Sequence, residues 1–232
     1  MNELFDGARA LTFDCYGTIV DWETGILEAL HELLAEADGV PDDETLLAMY
    51  GRFESELQAG PFQPYRQVLE EVARRFVDAV GAEEGDAQPS RFADSVGRWP
   101  PFPDSVRALE KLQKRYRLVI VSNVDDDLFH ATRERLGVDF DEVVTAEQVR
   151  SYKPRLAHFT EALRRLELPK SKVVHVAQSL YHDIAPAKSF GVGCCWVDRR
   201  RGRSGGGATP PAEARPDLTV PDLAALARMA LP

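Results

Sequence analysis

Few cysteines, no long apolar run and no excess of basic charge mark this sequence, and each lack removes a class of protein. Three cysteines in 232 residues, two of them adjacent as Cys194-Cys195, make neither a disulfide framework nor a metal-ligand spacing. A reduced, cytoplasmic protein is the expectation. No apolar run approaches the length of a membrane span, and no basic segment leading into an apolar one stands at the start. The formal net charge of -10 argues against nucleic acid or an anionic membrane as partner. It leaves room for a small anionic organic substrate, because one arginine can dominate the field inside a pocket.

With 44% hydrophobic and 28% charged residues, the composition is that of an ordinary globular protein. Short β-type runs rich in apolar and β-branched residues fall at 10–13, 118–121, 173–177 and 194–197, with a weaker one at 142–145. Helix-type segments lie between them at 104–116, 127–136, 154–166 and 184–190. Strands alternating with helices predict parallel crossover units, and so an α/β fold with a doubly wound, Rossmann-like parallel sheet.

Residues 21–98 break that alternation, reading as helices at 24–37, 43–58, 65–80 and 90–97. This is too long for an ordinary crossover and predicts a helical cap subdomain inserted after the first strand. The run WPPFP, with Pro100, Pro101 and Pro103, marks the return to a core made of residues 1–20 and 99–232. Near the end, residues 199–216 read as a flexible basic surface loop, and 217–220 as a last edge strand before a short helix.

Ligands in open parallel sheets sit outside the carboxyl ends of the strands, and polar residues gather there. The first strand ends at Asp14, with Thr18 four residues on; the second ends at Ser122-Asn123. VRSYKP presents Lys153, and AQSLYHD presents Gln178, Ser179, His182 and Asp183. Singly, each has an ordinary role as turn former, helix cap or surface charge. Together, in this order and at these strand ends, they point to one site.

The ordered set FDCYGT, VSN, YKP and AQSLYHD resembles the haloacid dehalogenase superfamily, and the resemblance runs the length of the chain. Most members of that superfamily are magnesium-dependent phosphatases with Asp-x-Asp on the first strand, the second aspartate protonating the leaving oxygen. Here that second position is Tyr16. General acid assistance contributes about 3–5 kcal/mol of barrier, and a phenol of pKa about 10 is a poor proton donor at neutral pH. Gln178 also stands where the family has a magnesium-binding acid.

Displacement of halide from carbon needs neither missing part, because the halide leaves without a proton and there is no phosphate charge to neutralise. The Asp-x-Tyr-Gly-Thr form resembles the type II 2-haloacid dehalogenase branch. That resemblance implies a metal-free, cofactor-free hydrolase that turns a short-chain 2-haloacid into a 2-hydroxy acid. Asp14 would be the nucleophile forming an aspartyl ester, and Lys153 would hold it charged. Thr18 would help stabilise the oxyanion, and Asp183 would position the water. Tyr16, Ser122, Asn123 and Ser179 would line the substrate pocket, with Asn123 near the leaving halide. Arg52, with Arg66 in reserve, would grip halide or substrate from the cap.

Two departures from the branch stand out: Phe159 where a tyrosine is usual, and the longer spacing to Asp183. His182 reads as pocket-lining, Cys15 as packed on the far face of the strand, and Asp125–Asp127 as a helix N-terminus and cap. The resemblance also implies a homodimer. The competing readings are another hydrolase of this fold, a weak phosphatase or phosphonate-cleaving enzyme, and a non-catalytic domain that binds a small acid.

Overall fold

A computed structural model describes residues 2–81, 88–203 and 206–232. In chain order the elements are β1 (Ala10–Phe13), α1 (Trp22–Leu33), α2 (Asp43–Ala59), α3 (Tyr65–Val80), α4 (Pro89–Asp94) and α5 (Ser105–Leu112). There follow β2 (Arg117–Ser122), α6 (Asp126–Leu136), β3 (Glu142–Thr145), α7 (Ala146–Val149), α8 (Ala157–Leu166) and β4 (Val173–Ala177). The last are α9 (Ala185–Phe190), β5 (Gly193–Val197), β6 (Leu218–Val220) and α10 (Leu223–Ala230).

Among the described residues the six strands form one sheet in the order β3-β2-β1-β4-β5-β6. Every neighbouring pair is parallel. β1 and β4 are buried along their whole length, which is why they read as unbroken apolar runs rather than alternating ones. The chain winds from β1 outward to β2 and β3, then crosses back to β4 and runs outward on the other side. The reversal lies between β1 and β4, so a crevice opens at their carboxyl ends, directly after Phe13 and Ala177.

The insert leaves β1 through residues 14–21 and returns through 99–104, and the two passages are hydrogen-bonded to each other. Asp21 N donates to Pro100 O at 2.8 Å and Phe102 N to Ile19 O at 3.0 Å. The first three cap helices begin where a side chain satisfies free amides. Asp21 caps α1 by accepting from Thr24 N, and Asp42 caps α2 by accepting from Thr45 N.

The start of α3 is capped from the core. Both oxygens of Asp125 accept backbone amides at 2.8 Å, from Tyr65 and from Arg66. Asp125 makes no side-chain cap for α6, the helix it precedes. Asp126 accepts from Thr145 and Gln148, and Asp127 pairs with Arg66. The acidic run therefore works mainly as a clasp between core and cap.

Several helix limits differ from the periodicity, among them the first cap helix, expected to reach residue 37, which ends at Leu33. The segment expected from Pro154 becomes helical only at Ala157, because Tyr152 to Arg155 form a turn. The one expected from Ile184 is preceded by a wide π-type turn, Leu180–Ile184. The helix expected to reach Tyr116 ends at Leu112.

The basic stretch after β5 is also more tightly held than a surface loop, although its residues 204–205 lie outside the described residues. Arg199 stacks on Phe102 at 4.0 Å, pairs with Asp104 at 2.7 Å and donates to Thr18 O. Arg200 pairs with Glu23 and Glu44, and Ala208 is buried against Gly51 of α2. Among the described residues no helix is long and apolar enough to cross a membrane.

Trp99 joins the cap to the site. Its indole donates to Ser95 Oγ at 3.0 Å, meets Tyr16 edge-on at 5.7 Å, and packs against α1 at Gly25. A Cβ on Gly25 would fall 2.2 Å from Trp99 Cγ. Gly25→Ala should lower stability by about 1–3 kcal/mol through overpacking, although alanine is the better helix former. Denaturant unfolding measures this, and unchanged stability would contradict the packing described.

Candidate active site

The crevice beyond β1 and β4 is lined by residues from every segment that ends there, with the cap above it. Asp14, Tyr16, Ser122, Asn123, Lys153, Gln178, Ser179, His182 and Asp183 come from the core, and Trp22, Glu54 and Tyr65 from the cap. Thr209 reaches it from the basic stretch after β5.

Its centre is a buried ammonium. Lys153 Nζ donates to Asp14 Oδ1 at 2.9 Å, to Asp183 Oδ1 at 2.7 Å and to Val121 O at 2.8 Å, which uses all three of its protons. The lysine and Asp183 side chains are each 1% exposed and Asp14 is 9% exposed. Burial acts to lower the Lys153 pKa, but Asp14 and Asp183 outweigh it and hold it above its ordinary value. For Asp183, burial is outweighed by Lys153 and His175, and its pKa falls to about 2. Asp14 sits above its ordinary value because burial and repulsion by Asp183 exceed the pull of Lys153.

The remaining oxygen of Asp14, Oδ2, accepts from Thr18 Oγ1 at 2.7 Å. Thr18 is fixed in turn, since its hydroxyl accepts from Gln178 N at 2.9 Å and its carbonyl accepts from Arg199. The turn that delivers it needs a positive φ at Gly17, +92°, and a Cβ there would meet Trp22 Nε1 at 2.9 Å.

Asp183 is aimed back at Lys153 by the π-type turn, and that turn absorbs the long spacing of AQSLYHD. Ser179 caps it by accepting from His182 N at 2.9 Å. His175 lies beneath, with Nε2 at 3.0 Å from Asp183 Oδ1 and Nδ1 at 2.9 Å from Thr12 Oγ1. Phe159 packs edge-on against His175 at 4.9 Å and brings no hydroxyl to the site.

Asn123 is engaged locally. Its Oδ1 accepts from Lys153 N at 2.7 Å, while Nδ2 donates to Lys153 O and to Gln58 Oε1, both at 3.2 Å. It positions the lysine and touches the cap, so its amide protons are not free for a halide. Ser122 Oγ is the reverse, being buried and without a partner. Tyr16 gives its hydroxyl to Thr132 at 2.8 Å, and burial pushes its pKa well above 10. Cys15 is fully buried, its thiol pushed well above its ordinary pKa by burial. Burial also lowers His182 to about 4, which leaves it neutral at pH 7.

Neither candidate arginine lines the cleft. Arg52 lies on the outer face of α2 and stacks on Phe53 at 4.9 Å. Arg66 bonds Asp94 at 2.6 Å and Asp127 at 2.9 Å on the surface. The physical reason is helix phase: two residues along α2 is more than half a turn, and it is Glu54 that faces inward. Tyr50, Glu54 and Gln58, spaced by four, form a buried polar stripe on this helix. That spacing, Y-x3-E-x3-Q, was the available signal for the cap side of the site. Thr209, far along the chain in a stretch that reads as linker, had none.

The donor set suits a divalent cation poorly. The ammonium of Lys153 already bridges Asp14 and Asp183, and the neutral Gln178 stands where a third carboxylate would be needed. Among the described residues no cluster of three His, Cys, Asp or Glu could hold a metal.

Lys153→Met would leave two buried carboxylates facing each other without a counter-charge. Denaturant unfolding should show a loss of about 3–5 kcal/mol. Adding Asp183→Asn should recover part of it, because the two sites are directly coupled; strictly additive losses would contradict the triad.

Glu54 supplies a second test. Burial pushes its pKa up to about 7, against the pull of hydrogen bonds from Tyr65 and Tyr50. The folded protein therefore binds more protons than the unfolded chain between about pH 4.5 and 7, and this term lowers stability as pH rises through that window. His158 and His182, lowered to about 3 and 4 by burial, act in the opposite direction below about pH 6.5. The difference between Glu54→Gln and the parent isolates the glutamate. It should move in favour of the variant by roughly 3 kcal/mol from about pH 4 to pH 8; a difference independent of pH would contradict it.

Comparison with known proteins agrees with the geometry. Residues 8–191 match the family described as haloacid dehalogenase-like hydrolase. Haloacetate dehalogenase H-2 of Moraxella sp. (strain B) is 25% identical over 229 residues, covering 95% of this chain and 97% of that one. The L-2-haloacid dehalogenase PA0810 superposes with a TM-score of 0.82 at 24% identity, over 97% of this chain and 100% of that one. The L-2-haloacid dehalogenase of Xanthobacter autotrophicus with chloropropionic acid covalently bound has a TM-score of 0.80 at 21% identity, over 96% and 98%. The sheet with its helical insert is thus the fold of these enzymes, and the chain belongs to the haloacid dehalogenase-like hydrolase family.

Proposed function

We propose that this protein hydrolyses the carbon–halogen bond of a short-chain 2-haloacid through an aspartyl ester on Asp14, without a metal. The observation that carries this reading is the state of Asp14. It is a buried carboxylate at the switch point of the sheet, paired with an ammonium through one oxygen and with a threonine hydroxyl through the other. Tyr16, which stands where the phosphatases of this fold have their general acid, is not suited to protonate a leaving group, because its hydroxyl is engaged by Thr132 and burial raises its pKa.

In the first step an oxygen of Asp14 attacks the halogen-bearing carbon in line. The new C–O bond forms as the C–X bond breaks, and halide leaves with the bonding pair. As the carboxylate charge is consumed, the triad's balance passes to Lys153 and Asp183. In the second step water attacks Cγ of Asp14, and the ester C–O bond breaks to release the 2-hydroxy acid. Water supplies one proton to the product oxygen and one to the medium. Lys153 Nζ is on one oxygen of Asp14 and Thr18 Oγ1 on the other, so whichever oxygen does not carry the ester has a donor in place for the oxyanion formed on the way. Asp183 holds the water, a role supported by its Oδ2 being buried and without a partner. Ser122 Oγ, buried and without a partner, is a donor for the substrate carboxylate.

The test is halide release from chloroacetate and from each enantiomer of 2-chloropropionate, with EDTA present. Release by the parent, and its loss by at least about 1,000-fold in Asp14→Asn, is the expected result. Release that requires added magnesium, or that survives in Asp14→Asn, would contradict the proposal.

A further inference from the structure

A guanidinium was the expected anchor on the cap side of the cleft, and the structure has a carboxyl there instead. Glu54 is 3% exposed and lines the same cleft as Asp14. Two tyrosines hold it in place. Tyr65 donates to Oε1 at 2.6 Å, and the Tyr50 hydroxyl lies 3.3 Å from that oxygen and 2.9 Å from Tyr65 Oη. Both contacts fall on Oε1, so the geometry is that of a carboxyl held by one edge.

The charge around the cleft is unbalanced. The only cation lining it among the described residues is Lys153, whose three protons are already committed. Against it stand Asp14, Asp183 and Glu54. Two further buried polar atoms lining the cleft have no partner, Ser122 Oγ and Asp183 Oδ2. Burial is not tolerated for such groups without compensation. Trp22, Tyr16 and Tyr65 add aromatic rings to the wall, and these also accept a cation. The site thus offers free donors toward the core, Ser122 Oγ and the side-chain amide of Gln178, and a carboxyl with no cation beside it toward the cap.

We propose that the substrate is zwitterionic: a short 2-haloacid carrying an ammonium group beyond the reacting carbon, its carboxylate toward Ser122 and its ammonium on Glu54. This rests on the reading of Asp14 as a nucleophile acting on 2-haloacids and narrows it to an amino-bearing class. Glu54 acts in binding and specificity. Its ionisation is governed by Tyr50 and Gln58 on its own helix, Tyr65 on α3, Asp14 after β1, and Tyr152 ahead of Lys153. A bound ammonium favours the ionised carboxylate, so affinity should rise from about pH 6 to pH 8 while the ligand amine stays protonated.

Binding and turnover are measured separately. Titration calorimetry compares 3-amino-2-hydroxypropionate, the product of such a substrate, with lactate, which has a methyl group in place of the aminomethyl. The amino acid should bind about 10- to 100-fold more tightly, the worth of one charge-assisted hydrogen bond. Glu54→Gln should remove the difference, and Tyr65→Phe, which retains the carboxylate, should keep the preference for the amino ligand. Equal or weaker binding of the amino ligand, no binding of it at millimolar concentration, or a preference that survives Glu54→Gln would overturn the proposal. Chloride release from 3-amino-2-chloropropionate and from 2-chloropropionate is then read in parallel. Selective binding without release from either would keep the cation site and refute dehalogenation. Release from 2-chloropropionate with no preference for the amino compound would do the reverse.

Discussion

Everything in the site hangs on one buried ammonium shared between two carboxylates. Removing Lys153 and its partners from water costs several kcal/mol per ion, and only close geometry repays it. The structure meets that condition by placing the nitrogen within 2.9 Å of three oxygens on three different segments. The loops around it can be understood as supports for that contact. Asn123 clamps the backbone of Lys153 on both sides, the π-type turn swings Asp183 inward, and His175 braces Asp183 from below. A carboxylate held this way is withdrawn from water and paired with an ammonium.

The cap is bound to this centre by polar contacts at both ends. Asp125 caps α3 from the core side, and Asn123 reaches Gln58 on α2. Arg200 ties the stretch after β5 to Glu23 of α1 and Glu44 of α2. Such contacts are individually modest and exchangeable with water. They fix the register of the cap over the cleft more than they weld the two parts together. The apolar layer beneath, with Trp99 against Gly25 and Tyr16, adds non-directional burial to the attachment.

The parts of the molecule legible in the sequence were those with a local signature. β1, β4 and the inserted helices follow from apolar runs and helical periodicity, and Asp14, Thr18, Lys153 and Asp183 follow from polar residues at strand ends. What escaped depends on three-dimensional phase or on long-range return. Arg52 and Glu54 are two residues apart, and only the orientation of α2 decides which of them faces the cleft. Asp125 reads as a cap for the helix it precedes, yet it caps a helix sixty residues earlier in the chain. Residues 199–203 read as linker because their carboxylate partners, Glu23, Glu44 and Asp104, are far away in sequence.

The central question for this site is whether the carboxylate of Asp14 becomes an ester. A single turnover with excess enzyme in heavy-oxygen water, followed by mass analysis of the peptide containing Asp14 and of the released hydroxy acid, tests this directly. If water attacks the ester at Cγ, the heavy oxygen enters Asp14 and the first-turnover product carries ordinary oxygen from the enzyme. Heavy oxygen in that first product, with Asp14 unlabelled, would mean that water attacks the substrate itself and that Asp14 is not the nucleophile.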